Sequence, residues 1–414
     1  MKPLFSLALA FAVTASFAQT EVTIATGPSN AQQVWYSLEN GVQATTDLAA
    51  WDLAFEINSF NSSVLVNTAK GLSVWQASTA LADWSSITSP NEAGWTAIYN
   101  SEIDWSAGAL TYGNNLDQAN GFNVGWGDYS MITHAIVGAK VYVIKFPGDI
   151  YKKLRINSLA TGTYSFTYAD LDGGNEQNAT LVKSAFPGKN FGYFSFATNA
   201  AVDLEPAADA WDLVFTKYTS IIPSPAPTPY AVAGVLQNKS VLAAQVDGVP
   251  TGDALWTSQP LDSAINIIGY DWKTYNASLM QYEYAQDRTY FVKDRAGSIW
   301  KLVFIGYGGG STGTMTFTQE LVSATGMAET AENGLALYPN PVTDGELSLL
   351  LDEPLIKGAL QVVDRSGRIV KEAQIAATGA AARVLVDLRG LANGIYIVRL
   401  ASDSGVRAAR VVVE

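Results

Sequence analysis

Apolar and polar residues alternate along most of the chain in short runs separated by Gly, Asn, Asp and Ser, while the helical period of 3.6 is nearly absent. Val34-Trp35-Tyr36-Ser37-Leu38, Trp51-Asp52-Leu53-Ala54-Phe55, Ser62 to Val66 and Tyr142 to Lys145 carry the β-branched and aromatic residues of strands. One short helical piece is predicted, near Ser78 to Trp84. In the Trp51 block, alternation predicts Trp51, Leu53 and Phe55 on one face and Asp52 on the other, making Trp51 a core anchor. The fold class expected is all-β.

The pattern is also written twice. Trp51-Asp52-Leu53-Ala54-Phe55 returns as Trp211-Asp212-Leu213-Val214-Phe215, and Tyr142-Val143-Ile144-Lys145 as Tyr290-Phe291-Val292-Lys293. Thr161-Gly162-Thr163-Tyr164-Ser165-Phe166-Thr167 then returns as Thr312-Gly313-Thr314-Met315-Thr316-Phe317-Thr318. The order is kept, and offsets of 148 to 160 residues drift only as loop insertions would make them, so the body is a tandem duplication of one β-unit. The expected division is unit 1 at 19–176, unit 2 at 177–325, a polar linker at 326–334 and a last domain at 335–414. In the second unit, Pro223, Pro225, Pro227 and Pro229 predict an exposed, stiffened loop, and Gly306 to Gly310 a hairpin tip. From Leu335 the alternation tightens between Asp, Gly and Asn turns, which reads as a compact immunoglobulin-like β-sandwich.

Composition narrows the chemistry. The formal charge is −13, and residues 335–414 hold 9 of the 25 basic and 9 of the 38 acidic residues, so the excess lies entirely before the tail. An acidic body argues against nucleic acid or an anionic membrane face as partner. With no Cys and one His, thiol catalysis, disulfides, Cys-ligated metals, multi-His zinc and a His-dependent triad in each unit are excluded. No pair among the carboxylates has a spacing that singles out a glycosidase, so the chain is not expected to be an enzyme. The start, Met1-Lys2-Pro3 and then Leu4 to Val13 with Ser16-Phe17-Ala18 before Gln19, reads as a signal peptide over 1–18. No later apolar run is long enough for a transmembrane helix. Asp170-Leu171-Asp172-Gly173-Gly174-Asn175-Glu176 has part of a calcium-loop spacing without the full twelve-residue pattern, and reads as a solvated acidic turn.

The segment 335–414, with Tyr338-Pro339-Asn340-Pro341, Asp364 with Gly367-Arg368, and Leu391 with Gly394-Ile395-Tyr396, resembles the type A C-terminal sorting domain of the Bacteroidetes type IX secretion system. The resemblance implies recognition by that machinery, passage across the outer membrane, and removal of the tail with release or lipopolysaccharide anchoring at the cell surface. Pro339, Gly367 and Gly394 would then be structural and recognition residues. The duplicated units resemble the HmuY family of haem-binding proteins through the Trp-Asp-Leu-x-Phe opening, Tyr230 to Asn238, Gly269 with Asp271-Trp272-Lys273, and Tyr290 to Lys293 with Gly297 and Trp300-Lys301.

That second resemblance implies haem as cofactor, with paired His or paired Met ligands, and a haem carrier as partner. A bis-histidine site within one chain is impossible here, because His134 stands alone. The available donors are His134, Met131, Met280, Met315 and Met327. Met131 and His134 precede the Tyr142 strand, and Met280 precedes the Tyr290 strand at nearly the same repeat position, which makes these three the expected ligands. The other expectation is a surface adhesion or carbohydrate-binding protein without haem, in which some of the 19 Tyr and 11 Trp act as stacking platforms.

Overall fold

A computed structural model describes residues 19–58, 62–112, 123–223 and 227–323 of the body, and 335–338, 342–343, 345–351, 357–364, 368–375, 382–402 and 405–413 of the tail. The chain forms two compact units, Met1–Ala324 and Thr325–Glu414.

Most of the body's regular secondary structure is strand. Its first repeat supplies β1 (Thr20–Ala25), β2 (Gln32–Ser37), β3 (Gly41–Asp47), β4 (Leu53–Glu56), β5 (Val64–Val66), β6 (Ser73–Ser78), β7 (Thr96–Ile98), β8 (Gly127–Ser130), β9 (Ala135–Gly138), β10 (Val141–Phe146), β11 (Ile150–Ala160) and β12 (Thr163–Asp170). The second supplies β13 (Gln177–Val182), β14 (Phe191–Ser195), β15 (Ala200–Val202), β16 (Leu213–Ile222), β17 (Thr228–Gln237), β18 (Leu242–Val246), β19 (Lys273–Asn276), β20 (Gln281–Tyr284), β21 (Thr289–Lys293), β22 (Ile299–Tyr307) and β23 (Thr314–Ser323). The helical piece expected near Ser78 to Trp84 is a 3-10 turn over Leu81–Ser85.

Four sheets account for most of these strands. One sandwich sets β15-β14-β4-β5 against β13-β12-β11-β10-β6-β7; the other sets β17-β16-β2-β3 against β1-β23-β22-β21-β18. The registers repeat: Tyr142 lies opposite Leu154 as Tyr290 lies opposite Leu302. Every ladder is antiparallel, so hairpins do the joining and no crossover helices are needed.

The two repeats are interleaved. Strands β1 to β3 belong to the first repeat in sequence, yet β1 pairs with β23 and β2 with β16 of the second. Strands β13 and β14 in turn leave the second repeat to pair with β12 and β4 of the first. The sequence boundary between 176 and 177 therefore does not coincide with a boundary between sandwiches.

The Trp-Asp motif fastens this exchange. Asp52 N–H donates to Phe194 O, and its Oδ2 accepts Phe196 N–H at 2.7 Å; Asp212 does the same with Tyr36 O and with Leu38 N–H at 2.8 Å. Each aspartate thus grips a strand that comes from the other repeat. Two matching asparagines complete the staple: Asn67 Nδ2 donates to Leu48 O and Trp51 O, and Asn238 Nδ2 to Ala208 O and Trp211 O. Asp52 also pairs with Lys70 at 2.7 Å.

Trp51 is buried, but not where alternation put it. Leu53 and Phe55 enter the first sandwich core, whereas Trp51 packs with Ala54, Leu65, Phe191 and Tyr193 between the sandwiches. The ladder starts only at Leu53, so strand periodicity does not extend back to Trp51. Trp211 repeats this placement, so β4 and β5 face β16 and β17 through an aromatic seam.

Of the proline loop, residues 224–226 lie outside the described residues; Pro229 sits exposed in β17 at the edge of its sheet, where a missing N–H costs no ladder bond. Between β22 and β23 comes a single helical turn, Gly309–Thr312, and then Gly313. A side chain at Gly313 would stand 2.2 Å from Gly27 O, and its φ of 65° is left-handed, so only glycine fits.

The tail is a sandwich of its own: β24 (Leu335–Tyr338), β25 (Glu346–Leu351) and β28 (Ala382–Asp387) in one sheet, β27 (Ile369–Ile375), β26 (Gly358–Asp364), β29 (Gly394–Ser402) and β30 (Gly405–Val413) in the other. Leu347, Leu349, Leu360, Val362, Val398 and Leu400 fill its core. Asp364 binds Arg368 through backbone and side chain at 3.1 Å, and Tyr396 O–H donates to Ala392 O at 2.8 Å. Two of the three motifs quoted for the tail thus hold turns. Pro339 and Gly367 lie outside the described residues.

Candidate functional site: paired hairpins and an aromatic seam

The three expected ligands sit on two equivalent hairpins. Strands β8 and β9 pair so that Ser130 faces Ala135, and β19 and β20 so that Asn276 faces Gln281. Four residues turn each tip, Met131 to His134 in one and Ala277 to Met280 in the other. The last residue of each turn is left-handed, His134 with φ 53° and Met280 with φ 51°. Non-glycine residues take that conformation where a tight turn demands it. Polar side chains before each turn hold it: Ser130 Oγ accepts from Thr133 N, and Asn276 Oδ1 from Ser278 N and Leu279 N.

Both tips present apolar side chains to solvent. Met131 is 66% exposed, Ile132 92%, Leu279 59% and Met280 76%. The His134 ring is oriented by Tyr129, whose hydroxyl lies 2.9 Å from Nδ1. With Nδ1–H donating to that oxygen, Nε2 keeps its lone pair outward, the state in which imidazole binds a metal. Hairpin β8–β9 docks on β11, and a side chain at Gly138 would meet Ile156 O at 1.7 Å. Met315 is fully buried in the second sandwich core, and Met327 lies outside the described residues.

The seam between the sandwiches encloses a second feature. Trp35, Trp51, Trp105, Trp211, Phe191 and Tyr193 line a cavity of about 90 Å³ with Glu205 among them. Glu205 accepts N–H bonds from Asn190 and Phe191 and an O–H bond from Tyr193, yet burial pushes its carboxyl up to about 7. Trp51 Nε1 and Trp211 Nε1 are buried without a hydrogen-bond partner among the described residues. Drug-sized ligand pockets run about 300–1,000 Å³, so this cavity does not fit a macrocycle such as haem. The exposed tips offer imidazole and thioether donors of the kind haem iron takes, whereas the seam's Tyr193 hydroxyl is already bonded to Glu205 in a cavity too small for the macrocycle.

The acidic turn after β12 is internally paired. Asp170 bonds Lys152 at 2.8 Å and Asn175 at 2.7 Å, and Asp172 caps Gly174 N. Among the described residues no group of three His, Cys, Asp or Glu is placed to hold a metal ion. Sequence reasoning missed the seam glutamate, because nothing in the spacing around Glu205 separates it from surface acids.

Residues 336–414 match the family model described as Secretion system C-terminal sorting domain. The protein is thus a substrate of type IX secretion, exported to the cell surface or beyond. No helix among the described residues is long and apolar enough to cross a membrane. No curated protein matches the chain. Among solved structures, Escherichia coli alpha-2-macroglobulin activated by porcine elastase is similar at 10% identity and a TM-score of 0.13, over 99% of this chain and 44% of that one. The chain therefore spans less than half of that structure.

Proposed function

We propose that the body is a non-catalytic binding protein of HmuY-like build, led into export by residues 1–18 and delivered to the cell surface by its tail, and that it takes haem at the tips of the paired hairpins. One observation carries this reading. Among the described residues, the two repeats place their solvent-exposed thioether and imidazole donors, Met131 and His134 in one and Met280 in the other, on equivalent four-residue turns, beside the exposed apolar residues Ile132 and Leu279. Bound haem would supply an iron with axial positions for such donors and a flat apolar face for their neighbours. The Tyr129 contact orients the imidazole, and the left-handed turns hold the donor positions outward.

Haem titration of the body, with absorbance read in oxidised and reduced states, tests this beside Met131→Ala, His134→Ala and Met280→Ala. A saturable Soret band weakened by at least one substitution, with a matching loss of the haem-induced rise in melting temperature, is the expected result. A flat titration removes haem and leaves an exported adhesion or carbohydrate-binding protein as the reading.

A further inference from the structure

Beside the seam, two loops from different repeats meet. Ile265 N–H donates to Ile103 O at 3.1 Å, next to an open groove of about 440 Å³. Trp105 lines it, half-buried and immobilised: its Nε1–H donates to Gln237 O at 2.7 Å and its ring packs on Phe191 with centroids 6.0 Å apart. Asp104 and Asp262 stand exposed along the same groove. Each spends one carboxylate oxygen on its own turn, Asp104 Oδ1 on Ser106 N and Asp262 Oδ1 on Ala264 N, both at 2.8 Å. The second oxygen of each has no donor among the described residues, and neither have the hydroxyls of Ser240 and Ser263. Lys239, also in the lining, is already committed to Glu56.

From this arrangement we propose that the groove binds a neutral saccharide. A fixed indole offers a flat apolar face, and a pyranose ring presents a matching face of C–H groups. Around that face the ligand must then supply several hydroxyl donors, because the open groups are carboxylate oxygens and serine hydroxyls. The volume falls within the range of small-ligand sites. An anion is disfavoured by the two aspartates, and a purely apolar ligand would leave their oxygens unpaired. This site shares no residue with the hairpin tips, so it stands or falls independently of haem.

The test is calorimetric titration of the full-length protein with maltotetraose, cellotetraose and mannotetraose, with tryptophan fluorescence as a second readout. Saturable binding of at least one, with a Kd on the order of 0.1–1 mM, is expected. Trp105→Ala should weaken it about tenfold. Since Trp105 also packs in the seam, Asp262→Asn is the decisive variant: its Oδ1 still accepts Ala264 N–H, so the melting temperature should hold while affinity falls several-fold. Absence of binding to all three sugars up to about 10 mM, or affinity unchanged in Asp262→Asn, overturns the proposal.

Discussion

Interleaved repeats should survive a break between them. A protease site inserted between Gly173 and Gly174, in the exposed turn after β12, would cut the chain into one fragment carrying β1 to β12 and another carrying β13 onward. If each repeat closed on itself, only the seam would hold the pieces together. With the observed exchange, the first fragment buries Ile24, Val34, Tyr36 and Leu38 in the second sandwich, and the second buries Leu181, Phe186, Phe194 and Phe196 in the first. At about 1.5–3 kcal/mol for each buried side chain, these eight contribute on the order of 20 kcal/mol. Setting about 10 kcal/mol against that for lost rigid-body freedom leaves about 10 kcal/mol, or a Kd near 10⁻⁷–10⁻⁸ M.

At micromolar concentration the cut protein should therefore elute as one particle by size exclusion, although a denaturing gel shows two bands. In rising denaturant, separation of the fragments should coincide with loss of the β-sheet circular dichroism. Fragments that part under native conditions, or that separate in denaturant while still folded, would refute the exchange.

Two further outcomes follow from buried acids. Asp212→Ala leaves the Leu38 N–H without its acceptor inside a fully buried strand end, which should cost about 2–3 kcal/mol in denaturant unfolding. Asp212→Asn, which keeps an acceptor oxygen, should lose clearly less, and equal losses would show that the bond to the exchanged strand contributes nothing. Glu205 titrates near 7 when folded and near 4.5 when unfolded, so the native state holds a proton that the unfolded state has released between those values. Stability should thus be fully supported below about pH 4.5 and fall by about 3 kcal/mol as pH rises to 7 and beyond, and Glu205→Gln should flatten that slope; a parallel slope in the variant would refute the assignment.

Much of the fold was legible because a period of two is a local property. The runs around Val34, Tyr142 and Tyr290 became β2, β10 and β21, and of the expected Gly306 to Gly310 tip, Gly308 to Gly310 lie in the connection between β22 and β23 while Gly306 is paired within β22. Partner choice is not local. Strands β2 and β14 occupy matching positions in the two sandwiches, each beside the strand that follows a Trp-Asp pair, and alternation shows that each has a face to bury without saying which copy supplies its neighbour. The equivalence of His134 and Met280 was readable from repeat position, and their shared left-handed turn sharpens it. The groove was not readable, since Trp105 and Asp262 come together through bonds between segments far apart in the chain.

Duplication followed by exchange also separates the parts of each repeat that must match from those that need not. Asp52 and Asp212 each anchor backbone from the opposite copy, so altering one motif loosens a strand whose side chains fill the other sandwich. Asn67 and Asn238 close the same staple. The hairpin tips bear no such load. Their side chains stand in solvent, and their turns are held by Ser130 or Asn276 from within the hairpin itself. One tip therefore carries an imidazole oriented by Tyr129 and the other a thioether on the same backbone, with no cost to the sheets beneath. Residues tied into the exchange are fixed by packing, and the freedom to differ lies at the exposed turns and loops, where both candidate sites are found.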